Sequence, residues 1–397
     1  MKNLNRKQFT ITITDLFVYF ILPTFLLSSG ILIYKFTIIF PLIMIIIFIT
    51  FFARLKISYI PFDRKYLFFT GFTLLSGISL LRATSFDSYD EFFHILSGFT
   101  IILLMHNLID DEKKIKKVIK ITKIVILFLC IQFIIAKTFN FNHRAIYSNE
   151  NRLTTFLVFF SPFIFSEILS RKNISNILLL SIIIITCFIA GSRFNLLAIS
   201  IQMFIFFIVI IIRLKFKQKK FTLIISVILI LIISIPLFQI ISITGDQNLS
   251  EQRNTEASSL LLRVYLIVQG LQIIQESHYM GVGAGNIIIP NYWTRDKEKW
   301  ALHNFFIHLV ATYGIIALLI FLFMYYQLYK DYRFIYSFRN KIETNFFEVA
   351  LLMFLITFLI SSNSPSSLFE LRPFYFVFGL IFVKIRSLRE KIYSLEY

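Results

Sequence analysis

The stretches Ile43-Met-Ile-Ile-Ile-Phe-Ile-Thr-Phe-Phe52 and Leu223-Ile-Ile-Ser-Val-Ile-Leu-Ile-Leu-Ile-Ile-Ser-Ile235 contain no charged residue. Each lies within a longer apolar segment of the roughly 17–25 residues that a helix needs to cross a bilayer. Helices satisfy their backbone polar groups internally, so they are the economical way to span; the alternating pattern of a membrane β-barrel is absent. Working outward, similar segments recur at 15–34, 36–53, 66–81, 89–109, 121–139, 153–170, 174–191, 194–212, 221–243, 303–329, 345–361 and 373–388. The expectation is an all-α polytopic helical bundle of about 12 transmembrane helices. It forms a single integral membrane domain over residues 1–397, with a large extracytoplasmic loop at 244–302.

Composition agrees. The chain has 397 residues, 57% hydrophobic and only 16% charged, with a mean hydropathy of +0.77. A soluble domain carries about 25% charged residues, so this chain has too few to cover a globule. Disorder is excluded by 49 Phe and long Ile/Leu runs. Lys2, Arg6 and Lys7 open the chain like a signal peptide. The apolar run that follows is too long for one and lacks a small-residue cleavage site, so it reads as an uncleaved first span.

The net charge of +18 would suggest nucleic acid on a soluble domain. With alternating spans and a cytoplasmic N-terminus, 28 of the 40 Lys/Arg fall on the inner side, whereas the 22 acids divide evenly. The excess is therefore a topology signal that keeps both termini cytoplasmic, and no nucleic-acid partner is implied. Cys130 and Cys187 fall inside spans and read as buried thiols, and no Cys/His cluster has zinc spacing. His94 and His106, within the fourth span, read as bundle hydrogen-bonding groups, and His308 reads as structural.

The outer face differs in kind: 8 of its 12 basic residues are arginine, against 9 of 28 inside. Arginine's planar fork binds phosphate bidentately, whereas lysine serves orientation equally well. Arg193, in Ala190-Gly-Ser-Arg-Phe194, sits at a membrane mouth with almost no loop around it, a costly position that points to function. Arg263 lies in Leu260–Ile274, which reads as a short helix in the interface or packed over the bundle, with a re-entrant segment as the alternative. Gly281-Val-Gly-Ala-Gly285 lacks the context of a dinucleotide fingerprint and reads as a tight backbone turn. His303-Asn304 opens the tenth span, and a histidine there can exchange a proton near neutral pH or serve as a polar anchor.

Several of these stretches together resemble the superfamily of O-antigen ligases and O-antigen or capsule polysaccharide polymerases. They are Arg144-Ala-Ile-Tyr-Ser-Asn-Glu-Asn151 leading to Pro162, Gly191-Ser-Arg193, the run from Arg263 through Gly285, His303-Asn304 with Gly314, and Leu371-Arg-Pro-Phe374. The resemblance implies a GT-C-like bundle at the outer face of the cytoplasmic membrane, working without nucleotide, essential metal or other cofactor. Its partners would be an undecaprenyl-diphosphate-linked oligosaccharide, an acceptor glycan, the lipid bilayer and other polysaccharide-assembly membrane proteins. Carried over, Arg193 and Arg263 would bind the diphosphate and His303 would activate the acceptor hydroxyl. Arg372, Arg144, Arg152 and Asn304 would be substrate-binding. Many relatives carry an acid two positions before the glycine of the His-Asn span, where this chain has Thr312. Polymerase and ligase stay open as alternatives, and a lipid-linked oligosaccharide flippase is the reading of another class.

Overall fold

A computed structural model describes residues 13–28, 66–82, 86–139, 149–170, 173–213, 250–290, 297–299, 302–340, 344, 346–365 and 368–396. The expected spans at 36–53 and 221–243, and Arg144, lie outside the described residues.

The first rod, α1, joins Ile13–Leu16 and Leu22–Ser28 through a π-helical turn at Phe17–Ile21. Then follow α2 (Leu67–Ser79), α3 (Phe86–Leu108), α4 (Glu112–Thr138), α5 (Glu150–Ser170), α6 (Ile174–Ile189) and α7 (Arg193–Arg213). After them come α8 (Ser250–Glu276), a two-stranded antiparallel ribbon of β1 (Ile288–Pro290) and β2 (Lys297–Lys299), α9 (Phe305–Tyr313), α10 (Ile315–Ser337), α11 (Phe347–Ser361) and α12 (Arg372–Glu396). Five of the described helices, α3, α4, α5, α7 and α10, are long and apolar enough to cross a membrane. Exposed apolar side chains such as Ile124, Phe128 and Ile131 on α4 and Leu319 and Leu322 on α10 form the belt such a protein turns toward lipid.

The centre is α12. Phe374, Tyr375, Phe376, Val377 and Phe378 are all buried, so no face of this stretch meets solvent or lipid. Gly98 of α3 lets it come close: a Cβ there would lie 2.2 Å from the Tyr375 ring. Phenylalanine rings fill the space around it, with Phe72 4.6 Å from Phe369 and Phe374 4.9 Å from Phe378 between ring centroids. Such pairs add roughly 0.5–1.5 kcal/mol each beyond area burial. Pro162 inside α5 has no N–H to give the Val158 carbonyl four residues back. Gln202 of α7 supplies the missing donor at 2.9 Å and reaches Thr357 of α11 at 2.9 Å, so a polar tie joins three helices at the proline.

Helix ends are set by local chemistry. Asp111 caps α4 by accepting the Lys114 N–H, Asn173 caps α6 at Ser175, and Asn304 caps α9 at Ile307. Pro373 occupies the first turn of α12, where its absent N–H costs nothing. Ion pairs gather at the two ends of the bundle. Lys117 with Asp15, Lys123 with Glu167, Lys384 with Glu112 and Arg389 with Asp331 lie at one end. Lys137 with Glu150 and Arg152 with Glu370 lie at the other.

Two expectations change. The single span at 303–329 is two helices, α9 and α10, broken at Gly314 (φ 82°, ψ 176°). The polar stretch before Leu260 is not a loop throughout: α8 begins at Ser250 and runs 27 residues, because Glu251, Gln252, Arg253 and Ala257 are good helix formers whatever their polarity. Its apolar side packs over α9, with Leu266, Ile274, Leu302 and Val310 buried together and Gly270 closely facing Ile307.

Candidate active site

The break at Gly314 organises the site. A helix end leaves carbonyls without intrahelical donors, and such groups are tolerated at membrane depth only when protein satisfies them. The Gly281–Gly285 turn does this. Val282 N donates to Ala311 O and Gly283 N to Thr312 O, both at 2.8 Å, while Ile315 N donates back to Tyr279 O at 2.9 Å. Gly281 and Gly283 hold φ of 77° and 93°, which glycine adopts without strain. The glycine run is thus a clamp on the broken helix as well as a turn.

The clamp is itself anchored. Arg82 donates to Gly281 O, Ser88 to Ala284 O, and Gly285 N reaches Glu91 Oε2 at 3.2 Å. Glu91 Oε1 also accepts the Tyr313 hydroxyl at 2.7 Å. An acid therefore does stand beside the turn that contains Thr312, delivered by α3 rather than by α9.

His303 precedes α9 with a left-handed backbone (φ 49°), a conformation costing a non-glycine residue about 1–2 kcal/mol. Asn304, next along, spends its side chain on the α9 N-cap, and Asn363 Oδ1 accepts the Phe305 N–H at 3.2 Å. His303 Nδ1 is buried, with no hydrogen-bond partner among the described residues. Burial and the positive charge of Arg263 both push the imidazole below its usual pKa, favouring the neutral ring.

Arg263 of α8 stacks over Phe194, its guanidinium carbon 5.2 Å from the ring centroid. Phe194 follows Arg193, so the contact brings the two arginines to one place. Arg263 is disfavoured as a cation by burial and then by Arg193. Among the described residues no carboxylate pairs with Arg263. Arg193 itself begins α7, whose first turn is locked by Asn195: its Nδ2 lies within hydrogen-bonding distance of Thr154 Oγ1 (2.7 Å), Ser192 Oγ (2.9 Å) and Ser364 Oγ (3.0 Å). Ser364 in turn donates to Asn151 Oδ1 at 3.3 Å. Arg193, Arg263 and His303, from three separate elements, thus share one electrostatic neighbourhood.

The secondary candidates sit differently. Arg152 is ion-paired with Glu370. Burial pushes that carboxyl up, but the charge and hydrogen bond of Arg152 outweigh it and hold its pKa low. Arg372 is buried at the start of α12, within electrostatic reach of His94. His94 Nδ1 meets Asp90 O at 2.8 Å and His106 Nδ1 meets Tyr66 Oη at 2.6 Å, the bundle hydrogen bonds expected of them. His308 is buried, 4.0 Å from Glu91. Cys130 and Cys187 are free and buried. Among the described residues no three His, Cys, Asp or Glu side chains gather as metal ligands would.

Residues 178–322 match the profile of a family described as O-Antigen ligase. Over that segment the match supports the resemblance to O-antigen ligases and polymerases. It is also 27% identical over 135 residues to the teichuronic acid biosynthesis protein TuaE of Bacillus subtilis (strain 168). That alignment covers 33% of this chain and 28% of the relative, so the chain spans under a third of that protein. The O-antigen ligase segment contains Arg193, Arg263, His303, Asn304 and the glycine clamp, whereas Arg152 and Arg372 lie outside it. With five described helices long and apolar enough to cross a membrane, the protein is a multi-pass membrane protein.

Sequence reasoning missed Glu91, Tyr313, Asn195 and Asn363. Each is an isolated polar residue in or beside an apolar run, and an intramembrane acid such as Glu91 is costly enough to have been a signal in itself.

Proposed function

We propose that the protein is a polysaccharide polymerase that moves glycan repeat units from an undecaprenyl-diphosphate carrier to a sugar hydroxyl, at the outer face of the cytoplasmic membrane. The observation that carries this reading is that Arg193, Arg263 and His303 share one electrostatic neighbourhood beside the broken helix, with no carboxylate paired to Arg263 among the described residues. Two guanidinium groups within electrostatic reach of each other repel; a diphosphate between them turns that repulsion into attraction. The same groups stabilise the charge that grows on the diphosphate as it leaves.

In the reaction the acceptor hydroxyl oxygen bonds to the anomeric carbon of the donor while the bond from that carbon to the diphosphate oxygen breaks. The hydroxyl proton passes to the neutral His303 imidazole and the electron pair leaves with the diphosphate. Asn304 fixes the backbone that presents His303. Arg372 and Arg152 add positive potential for the anionic donor, with Arg152 partly neutralised by Glu370. The charge asymmetry of the loops supports cytoplasmic termini and an outer site. The teichuronic acid relative supports polymer synthesis as the process.

A second reading, transfer of a finished glycan to another acceptor, is favoured by the description of the matched family. Glycans from a strain lacking the protein separate the two. Single repeat units attached to their acceptor support the polymerase; long chains still linked to lipid support the ligase. Reconstituted protein that moves donor across the bilayer without forming a bond would instead make it a flippase.

A further inference from the structure

A cavity of about 240 Å³ opens at the end of the bundle opposite the His303 site. Helix α5 links the two: Arg152 lies at its site end and Ser170 lines the cavity, a separation of roughly 27 Å at 1.5 Å per residue. That is close to the thickness of the hydrocarbon layer. The cavity therefore lies in the other leaflet's headgroup region.

Its walls carry four lysines, Lys116, Lys120, Lys123 and Lys384, against two acids, Glu112 and Glu167. Two lysines are matched: Lys384 bonds both oxygens of Glu112 at 2.7 Å, and Lys123 reaches Glu167 at 2.6 Å and Asn176 at 3.0 Å. Lys116 stands 3.9 Å from the already engaged Glu112, and Lys120 pairs with no acid among the described residues. Two positive charges are thus left over in a recess that an orientation signal does not require. Phe163 and Phe347 also line the recess. Directly below Lys120 on α4, Ile124, Phe128, Ile131 and Ile135 recur at helical spacing with exposed side chains. Basic headgroup contacts followed by an apolar strip match the anatomy of one lipid molecule, phosphate above and acyl chain along the helix.

We propose that this cavity binds the phosphate of an anionic phospholipid headgroup, with the acyl chains laid along the exposed face of α4. The site is separate from the glycosyl-transfer site and does not depend on its assignment. Basic recesses between transmembrane helices suit such headgroups, and each lysine contributes roughly a fivefold gain in affinity.

The test uses full-length protein in nanodiscs of mixed phosphatidylglycerol and phosphatidylcholine, with co-purifying lipid read by native mass spectrometry after transfer to detergent. Wild type should retain phosphatidylglycerol preferentially. Lys116→Glu with Lys120→Glu, both at exposed positions, should lower that retention by more than tenfold and leave phosphatidylcholine unchanged. Lys330→Glu, an exposed basic residue of α10 outside the cavity, should leave both unchanged. Equal retention of the two lipids by wild type, no loss in the double variant, or an equal loss in Lys330→Glu would overturn the proposal. Millimolar inorganic phosphate separates the sources: phosphate bound at the lysines with no enrichment of phosphatidylglycerol would show a free-anion site and also overturn it.

Discussion

Gly281 and Gly314 meet backbone to backbone: a Cβ on Gly281 would stand 2.5 Å from the Gly314 nitrogen, and one on Gly314 would stand 2.8 Å from the Met280 carbonyl carbon. Both also hold positive φ, so a side chain at either is strained twice over. Gly281→Ala should cost the roughly 1–2 kcal/mol of the left-handed backbone plus the displacement of rigid neighbours. Gly191 offers the comparison, because its φ is 64° but no described residue stands within 4 Å of the added Cβ. Thermal unfolding in detergent should show Gly281→Ala clearly below Gly191→Ala, and equal midpoints would refute the clamp.

The left-handed backbone of His303 separates its chemical role from its structural one. Asparagine tolerates that conformation and valine does not. His303→Asn should therefore unfold near the wild-type temperature while losing about 10²–10⁴ in transfer rate, the usual worth of a general base. His303→Val should lose both rate and stability. An active His303→Asn enzyme would remove the residue from the chemistry.

The pH profile follows from the same neighbourhood. His303 acts in its neutral form, so activity should rise with pH through its pKa, which burial and Arg263 set below the ordinary value of about 6.5. Replacing Arg263 with Met removes one of the two causes. The acid limb of the residual activity should then move to higher pH, whereas a limb that stays in place would show that His303 is not the titrating group.

Glu91 uses both carboxylate oxygens as acceptors, one for Tyr313 and one for Gly285. Glutamine keeps one acceptor and turns its amide toward the other donor. Glu91→Gln should cost about 1–3 kcal/mol in unfolding measurements, and Glu91→Ala should cost more, since it leaves two donors unsatisfied. A neutral effect of both would mean that the clamp is held without α3.

The bundle's frame was legible because hydropathy over about 20 residues reports burial in lipid directly. Its discontinuity was not. Residues 303–329 are apolar on both sides of Gly314, and the break is maintained by carbonyl acceptors that the Gly281–Gly285 turn satisfies from elsewhere in the chain. Arg193, Arg263 and His303 were singled out by their position at the outer ends, by arginine bias and by resemblance; that they lie together is a tertiary fact. The same holds for Arg152 and Glu370, 218 residues apart in sequence. Asn304, expected to touch substrate, also caps α9 through its Oδ1, a role its position before Phe305 could have suggested.

The central claim is that Arg263 and His303 serve one transfer reaction on a diphosphate-linked donor. Its most direct test is chain elongation by purified protein in liposomes supplied with an undecaprenyl-diphosphate-linked repeat unit, comparing wild type with Arg263→Ala and His303→Asn. The account predicts long chains from wild type and only unextended repeat units from each folded variant. Elongation at the wild-type rate by both variants would contradict it.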